Sequence, residues 1–540
     1  MILIRTNIRP VLILLLCLFQ IQAAFGVTYL YFQNNSQVAF SYSTVQYGPH
    51  TMDPGEWSGA TTGNVAPWAV DENLLWTNRD QGVHNGDDFF FDVKLFSGND
   101  SIVLKLKLNG NFTGSDLWQS ASGPGFSHPW YDDNNFHSET FTFLGKQFTL
   151  KYTAEFTGGD DDVRFALQEA SPWPIPASDD YTFDVLSYNL YMLTPPIAYT
   201  DQSERAAIIP DHIAGYDALI LSEVFYNSAR DSILVPGLTA AYPYHTDVVD
   251  AAGSSEDGGV MIMSKWPILS SSHIVYDSCD GSDCLAAKGA MYAKIDKNGV
   301  IYHLFGTHTQ AWQTGLLYRQ AQFRQLRDFI DALNISSTEA VLVGGDLNVD
   351  KILNNQNEYN AMFSILRAEE PRYQGNAFTY DPDLNLYASG SDFEFLDYVL
   401  RLSDHLKPID SLNEVRIYRS IDDDLWGEFD LSDHFAIYGH FKFPNTVMAA
   451  DRPMKGASIV ASPNPFIART NLILELKKTQ NVHLQITNSQ GKIVYRKALG
   501  QLGQGLHNLR IDGIQDWASG LYFYTCSFGN EQLRGKLVKQ

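Results

Sequence analysis

Basic residues are scarce in this 540-residue chain, which has 38 Lys and Arg against 62 Asp and Glu and a formal net charge of −24. Proteins that bind nucleic acids through their phosphates need basic surfaces, so no nucleic-acid partner is expected. The shortage does not exclude an enzyme that holds divalent cations with carboxylates, because oxygen ligands are what such cations prefer.

Long apolar runs are also missing, apart from one near the start of the chain. That run, Val11–Phe19, follows Arg5 and Arg9 and precedes several small residues. Its length is about half of what a membrane-spanning helix needs. It therefore predicts a secretory signal peptide over residues 1–26 rather than a membrane anchor.

Cysteine is rare, with four residues in the chain, of which Cys17 belongs to the predicted signal peptide. Cys279 and Cys284 flank a Gly-containing turn, and we expect them to form a disulfide because an exported protein meets an oxidising compartment. A metal site there is the weaker alternative, since no CxxC partner or His cluster lies nearby. Cys526 stands in a β-rich segment and is predicted to be a buried thiol.

What the chain does contain divides it into blocks. Residues 27–170 consist of short alternating segments separated by Gly, Asn and Asp, which predicts a β-sandwich domain. Its role stays open between a lipid- or surface-targeting module and a passive stabilising domain. A Pro-rich linker at 171–179 follows. From 180 to 444, apolar strands alternate with helical patterns such as 318–334, which predicts a layered α/β domain.

The last block differs from the others in charge. Residues 451–540 hold 12 Lys and Arg against five Asp and Glu, whereas the first 450 residues hold 26 against 57. This change, together with short strands about ten residues apart, predicts a linker at 445–457 and an immunoglobulin-like domain at 458–540.

Several strands of the middle block end in polar residues that can bind a metal or move protons. Neighbouring strands end at one rim of a sheet, so we expect these side chains to come together there. Asp433 and His434 open a further apolar strand. The residues at or just after the strand ends are Asn189, Glu223, His308, Asp346 and Asn348.

The residue types indicate the chemistry. Asn, Glu and Asp are hard oxygen ligands and His transfers protons near neutrality, a set suited to Mg²⁺-assisted hydrolysis of a phosphodiester. A glycosidase needs only two carboxylates and does not require the Asn and His residues that accompany them here. The chain has neither the G-x-S-x-G elbow of serine esterases nor the G-x-x-x-x-G-K-[ST] loop of nucleotide triphosphatases.

The motifs of the middle block resemble those of the endonuclease/exonuclease/phosphatase superfamily, in the same order. This resemblance implies a four-layered α/β/β/α sandwich, similar to deoxyribonuclease I, between the two β-rich domains. The motifs are Ser187-Tyr-Asn189, Ser222-Glu223, Gly306-Thr-His-Thr-Gln310, Gly345-Asp-Leu-Asn348, Leu396-Asp-Tyr-Val399 and Ser432-Asp-His434.

Within that superfamily the block resembles bacterial secreted neutral sphingomyelinases. The resemblance implies hydrolysis of sphingomyelin to ceramide and phosphocholine, at a sphingomyelin-containing membrane surface. An extracellular metal-dependent nuclease and a phospholipase C acting on other choline lipids are the alternatives. The runs that carry the resemblance are Glu223-Val-Phe225, Glu256-Asp-Gly-Gly-Val260, Ser264-Lys-Trp-Pro-Ile268, Lys288-Gly289 and His308-Thr-Gln-Ala311.

The same resemblance implies a metal centre. Glu223, with Asn189 beside it, would hold a divalent cation, expected to be Mg²⁺ with Mn²⁺ or Co²⁺ as alternatives. A second cation at the edge of the site would involve Glu256, Asp257 and the backbone carbonyl of Phe225. An ordinary acidic turn is the alternative for that pair of carboxylates.

The resemblance also implies catalytic roles. Asp346 and Asn348 would position the nucleophilic water and the phosphoryl oxygens. His434, supported by Asp433, would be the general base. His308 would stabilise the phosphoryl group or protonate the ceramide oxygen, although the sequence leaves open which histidine is the acid and which the base. Asp397 is interpreted as a structural partner.

Sphingomyelinases of this group contact membranes through an aromatic-tipped hairpin that precedes the final Asp-His motif. The corresponding stretch here, 412–426, contains Tyr418 and Trp426 but also three successive aspartates, and it has no paired aromatic tip. The alternative for Trp426 is a place in the core.

The last block resembles the sorting domain of the type IX secretion system. This resemblance implies export by that machinery, through the periplasm and outer membrane of a Bacteroidetes-type bacterium, to the surface or the medium. A carbohydrate- or surface-binding domain is the alternative. The segments that carry it are Ala461-Ser-Pro-Asn-Pro-Phe466, Gly491-Lys-Ile-Val-Tyr495, Gly520-Leu-Tyr-Phe-Tyr524 and the basic ending from Arg534.

Overall fold

Three sheet-rich regions follow one another in the computed structural model. The predicted signal peptide at 1–26 lies outside the described residues except for Gly26, and the predicted linker at 445–457 lies outside them except for Ala457. No helix in the described part of the chain has the length and apolarity to cross a membrane. The structure describes residues 26–79, 83–112, 114–156, 161–177, 179–352, 356–444, 457–462, 466, 470–476, 478–511, 513–528 and 531–539.

The first region is built from strands that each bury one face. Every second residue from Ile102 to Leu108 is buried and the residues between them are half-buried, which is the two-residue period of a strand. The strands are β1 (Val27–Asn35), β2 (Phe40–Tyr47), β3 (Thr62–Val65), β4 (Glu72–Asn78), β5 (Asp88–Ser97), β6 (Asp100–Asn111), β7 (Gly114–Gly123), β8 (Phe126–Ser127), β9 (His137–Phe143), β10 (Lys146–Phe156) and β11 (Asp161–Glu169).

These strands form two sheets, with the orders β4-β1-β11-β10-β9 and β3-β2-β5-β6-β7-β8. β1 and β11 run parallel, whereas β1 and β4 run antiparallel. Leu30 and Phe165 of the first sheet belong to the same buried cluster as Phe91 and Leu106 of the second. One hydrophobic core therefore serves both sheets.

The middle region contains two further sheets, with the orders β14-β15-β13-β12-β24-β23-β21 and β16-β17-β18-β19-β22-β20. Its strands are β12 (Thr182–Asn189), β13 (Ala218–Ser222), β14 (Tyr244–His245), β15 (Met261–Ser264), β16 (Ile268–Val275), β17 (Gly289–Lys297), β18 (Val300–His308), β19 (Ala340–Asp346), β20 (Ala368–Glu369), β21 (Arg372–Gly375), β22 (Asp397–Leu402), β23 (Asp410–Arg416) and β24 (Ala436–Lys442).

The two middle sheets approach each other closely at two glycines. A Cβ atom at Gly306 of β18 or at Gly344 of β19 would lie 2.8 Å from the side chain of Ile220 of β13. Larger residues at these positions would push the sheets apart, because 2.8 Å is below the normal contact distance of carbon atoms.

Helices pack against both sheets. The helix predicted over 318–334 is observed at Leu316–Ala332, and it buries Phe323 and Leu326 in the core of the six-stranded sheet. Ala206 and Ile209 pack against the seven-stranded sheet. The helical segments are Gln202–His212, Asn227–Ala229, Arg230–Leu234 (a π-turn), Val235–Leu238, Gly281–Leu285, Gln313–Gly315, Leu316–Ala332, Gln356–Leu366 and Asp423–Leu425, of which the fifth, sixth and ninth are 3₁₀ turns.

The last region forms two smaller sheets, with the orders β25-β26-β29 and β28-β27-β30-β31. Cys526 is a buried free thiol of β30, as predicted. The strands are β25 (Ala457–Ser462), β26 (Asn471–Leu476), β27 (Gln480–Asn488), β28 (Ile493–Leu502), β29 (Gly505–Arg510), β30 (Gly520–Phe528) and β31 (Glu531–Lys539), and a 3₁₀ turn lies at Ile514–Asp516.

The first region rests directly on the middle one. Trp68 stacks on Trp173 with ring centroids 5.5 Å apart, and the Trp173 indole donates to the carbonyl oxygen of Ile417. The buried guanidinium of Arg419 donates to the carbonyl oxygen of Trp68 at 2.8 Å. The Pro-rich stretch around Trp173 is thus packed between the two regions.

Candidate active site

Strand ends of the two middle sheets meet at one place. Asn189 ends β12 and lies opposite Ser222 at the end of the parallel strand β13. His308 ends β18 and lies opposite Asp346 at the end of the parallel strand β19. Neighbouring parallel strands end at the same edge of a sheet, so the pairing of the strands brings these side chains together at one opening.

The side chains that the sequence predicts at this edge are in contact. The Asn189 amide donates to Glu223 and to Asp346, both at 3.1 Å. His308 Nε2 lies 3.8 Å from Glu223 and 3.6 Å from Asp346. Glu223, His308 and Asp346 each offer one ligand atom, and these atoms all lie within 4.8 Å of one another.

Burial disfavours the charged form of both carboxylates of this group. Burial, followed by the charge of Asp397, raises the pKa of Asp346 to about 6, and burial also raises the pKa of Glu223. Among the described residues, neither carboxylate forms an ion pair with Lys or Arg. A divalent cation fits this set of hard oxygen donors and would supply the missing positive charge.

Two residues of the site have left-handed backbone conformations. Glu223 has φ 53° and Asn348 has φ 50°. Such conformations cost about 1–3 kcal/mol in residues with side chains and are found mainly at functional sites. The Asn348 amide donates to the carbonyl oxygen of Thr309, while its backbone N–H donates to Asp346 at 3.0 Å.

His434 is oriented by Asp397, a residue expected from the sequence to be a structural partner. Its Nδ1 lies 2.8 Å from an Asp397 oxygen, and its Nε2 lies 3.9 Å from Asp346. Asp433, the expected support, instead accepts a hydrogen bond from Ser432. Burial alone would lower the pKa of His434, but the charges of Asp397 and then Asp433 raise it well above its ordinary value.

A buried lysine contacts the second histidine. Lys288 Nζ lies 3.1 Å from His308 Nε2 and donates to Asp283 at 2.7 Å. Burial and the Lys288 charge lower the pKa of His308 well below its ordinary value. Asp283 belongs to the loop closed by Cys279 and Cys284, which form the predicted disulfide. Lys288 belongs to one of the runs that carry the family resemblance, although the sequence does not predict its contact with His308.

Arg205 holds two loops of the site together. This fully buried residue of the helix Gln202–His212 donates to the carbonyl oxygens of Leu190 and Tyr191, which follow Asn189. It also donates at 2.9 Å to the carbonyl oxygen of Leu431, just before the Ser-Asp-His motif. No motif in the sequence marks this residue.

The residues predicted to hold an edge metal have protein partners. Asp257 accepts from the Arg230 guanidinium at 2.6 Å and from the backbone N–H of Gly259 at 2.9 Å. Glu256 accepts from the Thr194 hydroxyl at 3.0 Å. The Phe225 ring packs so closely on Gly259, where φ is 61°, that a Cβ there would lie 2.6 Å from it.

Trp426 is neither exposed nor in the core of the middle region. Its ring packs edge-on against Phe136 of the first region with centroids 5.1 Å apart. Its indole N–H donates to Glu155 at 3.2 Å, and the Lys151 ammonium lies over both rings. Trp426 is therefore covered by the first region.

Comparison with known families agrees with the geometry. Residues 186–405 match the Endonuclease/Exonuclease/phosphatase family. The fold and the site thus define a phosphodiester hydrolase of this type. Residues 461–540 match the Secretion system C-terminal sorting domain, so the chain is sorted by type IX secretion to the cell surface or the extracellular space.

Matches to individual proteins identify the family within this superfamily. The chain is 38% identical over 258 residues to a sphingomyelinase C of Bacillus cereus, a match that covers 42% of this chain and 77% of that protein. It is 32% identical over 311 residues to a phospholipase C of Staphylococcus aureus, covering 51% and 92%. A crystal structure of sphingomyelinase C from Streptomyces griseocarneus covers 48% of this chain and 99% of that chain, with 29% identity and a TM-score of 0.45. The chain belongs to the sphingomyelinase C family.

Proposed function

We propose that this protein is a secreted, divalent-cation-dependent phosphodiesterase of the phospholipase C type that hydrolyses sphingomyelin to ceramide and phosphocholine. The observation that carries the proposal is the group formed by the buried Asn189 and Asp346 with the half-buried Glu223, beside the Asp397–His434 pair. Membership of the sphingomyelinase C family supports sphingomyelin as the substrate.

The cation would be held by Glu223 and Asp346, with Asn189 beside it, and would polarise the phosphoryl oxygens and offset their developing charge. We propose Mg²⁺, with Mn²⁺ or Co²⁺ as alternatives, because the donors are hard oxygens. A second cation at Glu256, Asp257 and the carbonyl of Phe225 remains a proposal, and it would have to share Asp257 with Arg230.

The two histidines would divide the proton transfers. A bound cation would offset the carboxylate charges that raise the pKa of His434, so that its neutral ring would accept a proton at Nε2 from the attacking water. Asp397 would hold Nδ1, and Asp433 would add negative charge that favours the ring once it is protonated. The water oxygen bonds to phosphorus and the bond to the ceramide oxygen breaks. That oxygen leaves with a proton. The lowered pKa of His308 favours its neutral ring, so His308 would give this proton only after it has taken one up, and otherwise it would stabilise the phosphoryl group. Asp346 and Asn348 would position the water.

The domain organisation is part of the proposal. Two sheets with close contact at Ile220 and helices on their other faces support a four-layered α/β/β/α catalytic domain. The proposed parts are a signal peptide at 1–26, a β-sandwich domain at 27–170, linkers at 171–179 and 445–457, the catalytic domain at 180–444 and an immunoglobulin-like sorting domain at 458–540.

The direct test is release of phosphocholine from sphingomyelin vesicles, compared with phosphatidylcholine vesicles and with DNA. We expect release from sphingomyelin that needs Mg²⁺ and stops with a chelator. Cleavage of DNA without phosphocholine release would contradict the proposal and favour a nuclease. Equal release from both lipids would favour a broader phospholipase C.

A further inference from the structure

Large apolar side chains are exposed on segments that follow the strand ends of the active site or lie next to the disulfide. Trp312 is 72% exposed and Leu317 is 74% exposed, and both follow β18, the strand that ends at His308. Tyr199 is 78% exposed and follows β12, the strand that ends at Asn189. Leu285, which directly follows the disulfide-bonded Cys284, is also exposed. When exposed apolar side chains group together on a surface, they mark a site of interaction with a protein or a membrane.

Hydrogen bonds tie these loops to one another. The disulfide loop donates from the backbone N–H of Asp280 to Gln310, and Asp283 accepts from the N–H of Ala311 at 2.7 Å. Its Leu285 carbonyl accepts from the N–H of Glu256, whose carboxylate bonds Thr194 in the loop before Tyr199. These hydrogen bonds join the segments that carry Trp312, Leu285 and Tyr199.

The backbone at Trp312 is held in place from below. Trp312 has φ 68° and ψ 148°, a combination that residues with side chains avoid, and its carbonyl oxygen accepts from Arg319. The buried Arg319 is fixed in turn by two bonds to Glu358 at 2.7 and 3.0 Å. The protein thus maintains a strained backbone that presents the indole to solvent.

We propose that Trp312, Leu317, Tyr199 and Leu285 form the surface that docks this protein on a bilayer of zwitterionic choline lipids. The choice of a bilayer rests on the proposed function, because a phosphodiester whose acyl chains stay in the bilayer reaches Asp346 only if this mouth faces the lipid. Aromatic residues favour the membrane interface.

Charge selects the kind of bilayer. The first 450 residues hold 57 Asp and Glu against 26 Lys and Arg, so anionic membranes repel this body. Choline headgroups carry a positive charge at their outer end, which complements it. The stretch around Trp426 contributes no comparable contact, because Phe136 and Glu155 of the first region occupy it.

The experiment measures sedimentation of the protein with sucrose-loaded phosphatidylcholine vesicles in the presence of a chelator, so that binding is separated from turnover. Trp312→Asn removes the indole and should weaken vesicle binding about tenfold, whereas Trp312→Tyr should stay within about threefold of the wild type. Ile409→Asn is the matched control, since Ile409 is 66% exposed at the end of the sheet away from His434 and should bind like the wild type.

Unchanged binding of Trp312→Asn, an equal loss in Ile409→Asn, or tighter binding of the wild type to anionic vesicles would each overturn the proposal. Hydrolysis of a soluble phosphocholine diester with Mg²⁺ should be the same in Trp312→Asn and the wild type. If the wild type hydrolyses neither this diester nor sphingomyelin but still binds vesicles through Trp312, the docking surface stands and the proposed function fails.

Discussion

Two clusters that each contain two acidic residues lie at the mouth of the site, and they differ in the groups that contact their carboxylates. The central cluster lies deep between the strand ends and has no Lys or Arg ion pair among the described residues. In the edge cluster, Arg230 and a backbone N–H bind Asp257, and a threonine hydroxyl binds Glu256. The central cluster is Asn189, Glu223 and Asp346, and the edge cluster is Phe225, Glu256 and Asp257.

The comparison shows that acidity alone does not define a cation site. At the centre, burial and then the charge of Asp397 raise the pKa of Asp346, so its negative charge is held at an energetic cost. A bound cation removes that cost, whereas at the edge the protein has already supplied much of the compensation. The central cluster is therefore the one that depends most on a cation.

The largest effect should come from removing one charge at the centre. Glu223→Gln should lower kcat on sphingomyelin by about a thousandfold or more, because it removes a ligand of the catalytic cation. Glu256→Gln, the same chemical change at the edge, should lower it by less than about tenfold. A loss in Glu256→Gln as large as that in Glu223→Gln would remove the distinction between the clusters.

The next effect separates the two aspartates near His434. Asp397→Asn should lower kcat about a hundredfold, because it disturbs the hydrogen bond that orients the ring and fixes its tautomer. Asp433→Asn should cost about tenfold or less, since Asp433 acts on the ring through charge alone. Steady-state kinetics of both variants tests this order of effects. A larger loss of kcat in Asp433→Asn than in Asp397→Asn would indicate that Asp433 is the orienting residue.

At the edge the main consequence should be lost stability. Asp257→Asn should lower the free energy of unfolding by about 2 kcal/mol, since it weakens a buried ion pair while Arg230 keeps its bond to Asp231. Glu256→Gln should change it by less than about 1 kcal/mol. Denaturant unfolding with a chelator present measures both. Equal stability of Asp257→Asn and the wild type would mean that the Arg230 contact contributes little.

The smallest effect is a pH dependence of cation binding at the centre. Asp346 must lose its proton to bind a cation, and its pKa of about 6 lies above the ordinary value. The cation affinity should therefore fall about tenfold per unit as the pH drops below 6 and level off above 7. Calorimetric titration at several pH values tests this, with Glu256→Gln expected to keep the same profile. A constant affinity between pH 5 and 7 would contradict it.

The positions of most site residues follow from simple rules. Asn189, His308 and Asp346 end apolar strands, and the pairing of parallel strands brings such ends together. The helix at Leu316–Ala332 and the disulfide were likewise predictable, from a helical period and from the redox compartment.

Other contacts depend on packing between segments distant in the chain. Asp433 adjoins His434 in sequence, but successive side chains of an extended chain point to opposite sides, so Asp397 from another strand reaches the ring. Arg230 forms an ion pair with Asp257 from a helical turn that no sequence motif predicts. The contact between Trp426 and Phe136 depends on how two regions dock, which local patterns do not encode.

Direct measurement of cation binding tests the central claim best. Titration of Mn²⁺ followed by electron paramagnetic resonance counts the bound ions and gives their affinity in the wild type, Glu223→Gln and Glu256→Gln. The account predicts that Glu223→Gln loses the tightest site while Glu256→Gln retains it with wild-type affinity. Retention of the tightest site in Glu223→Gln together with its loss in Glu256→Gln would contradict the account.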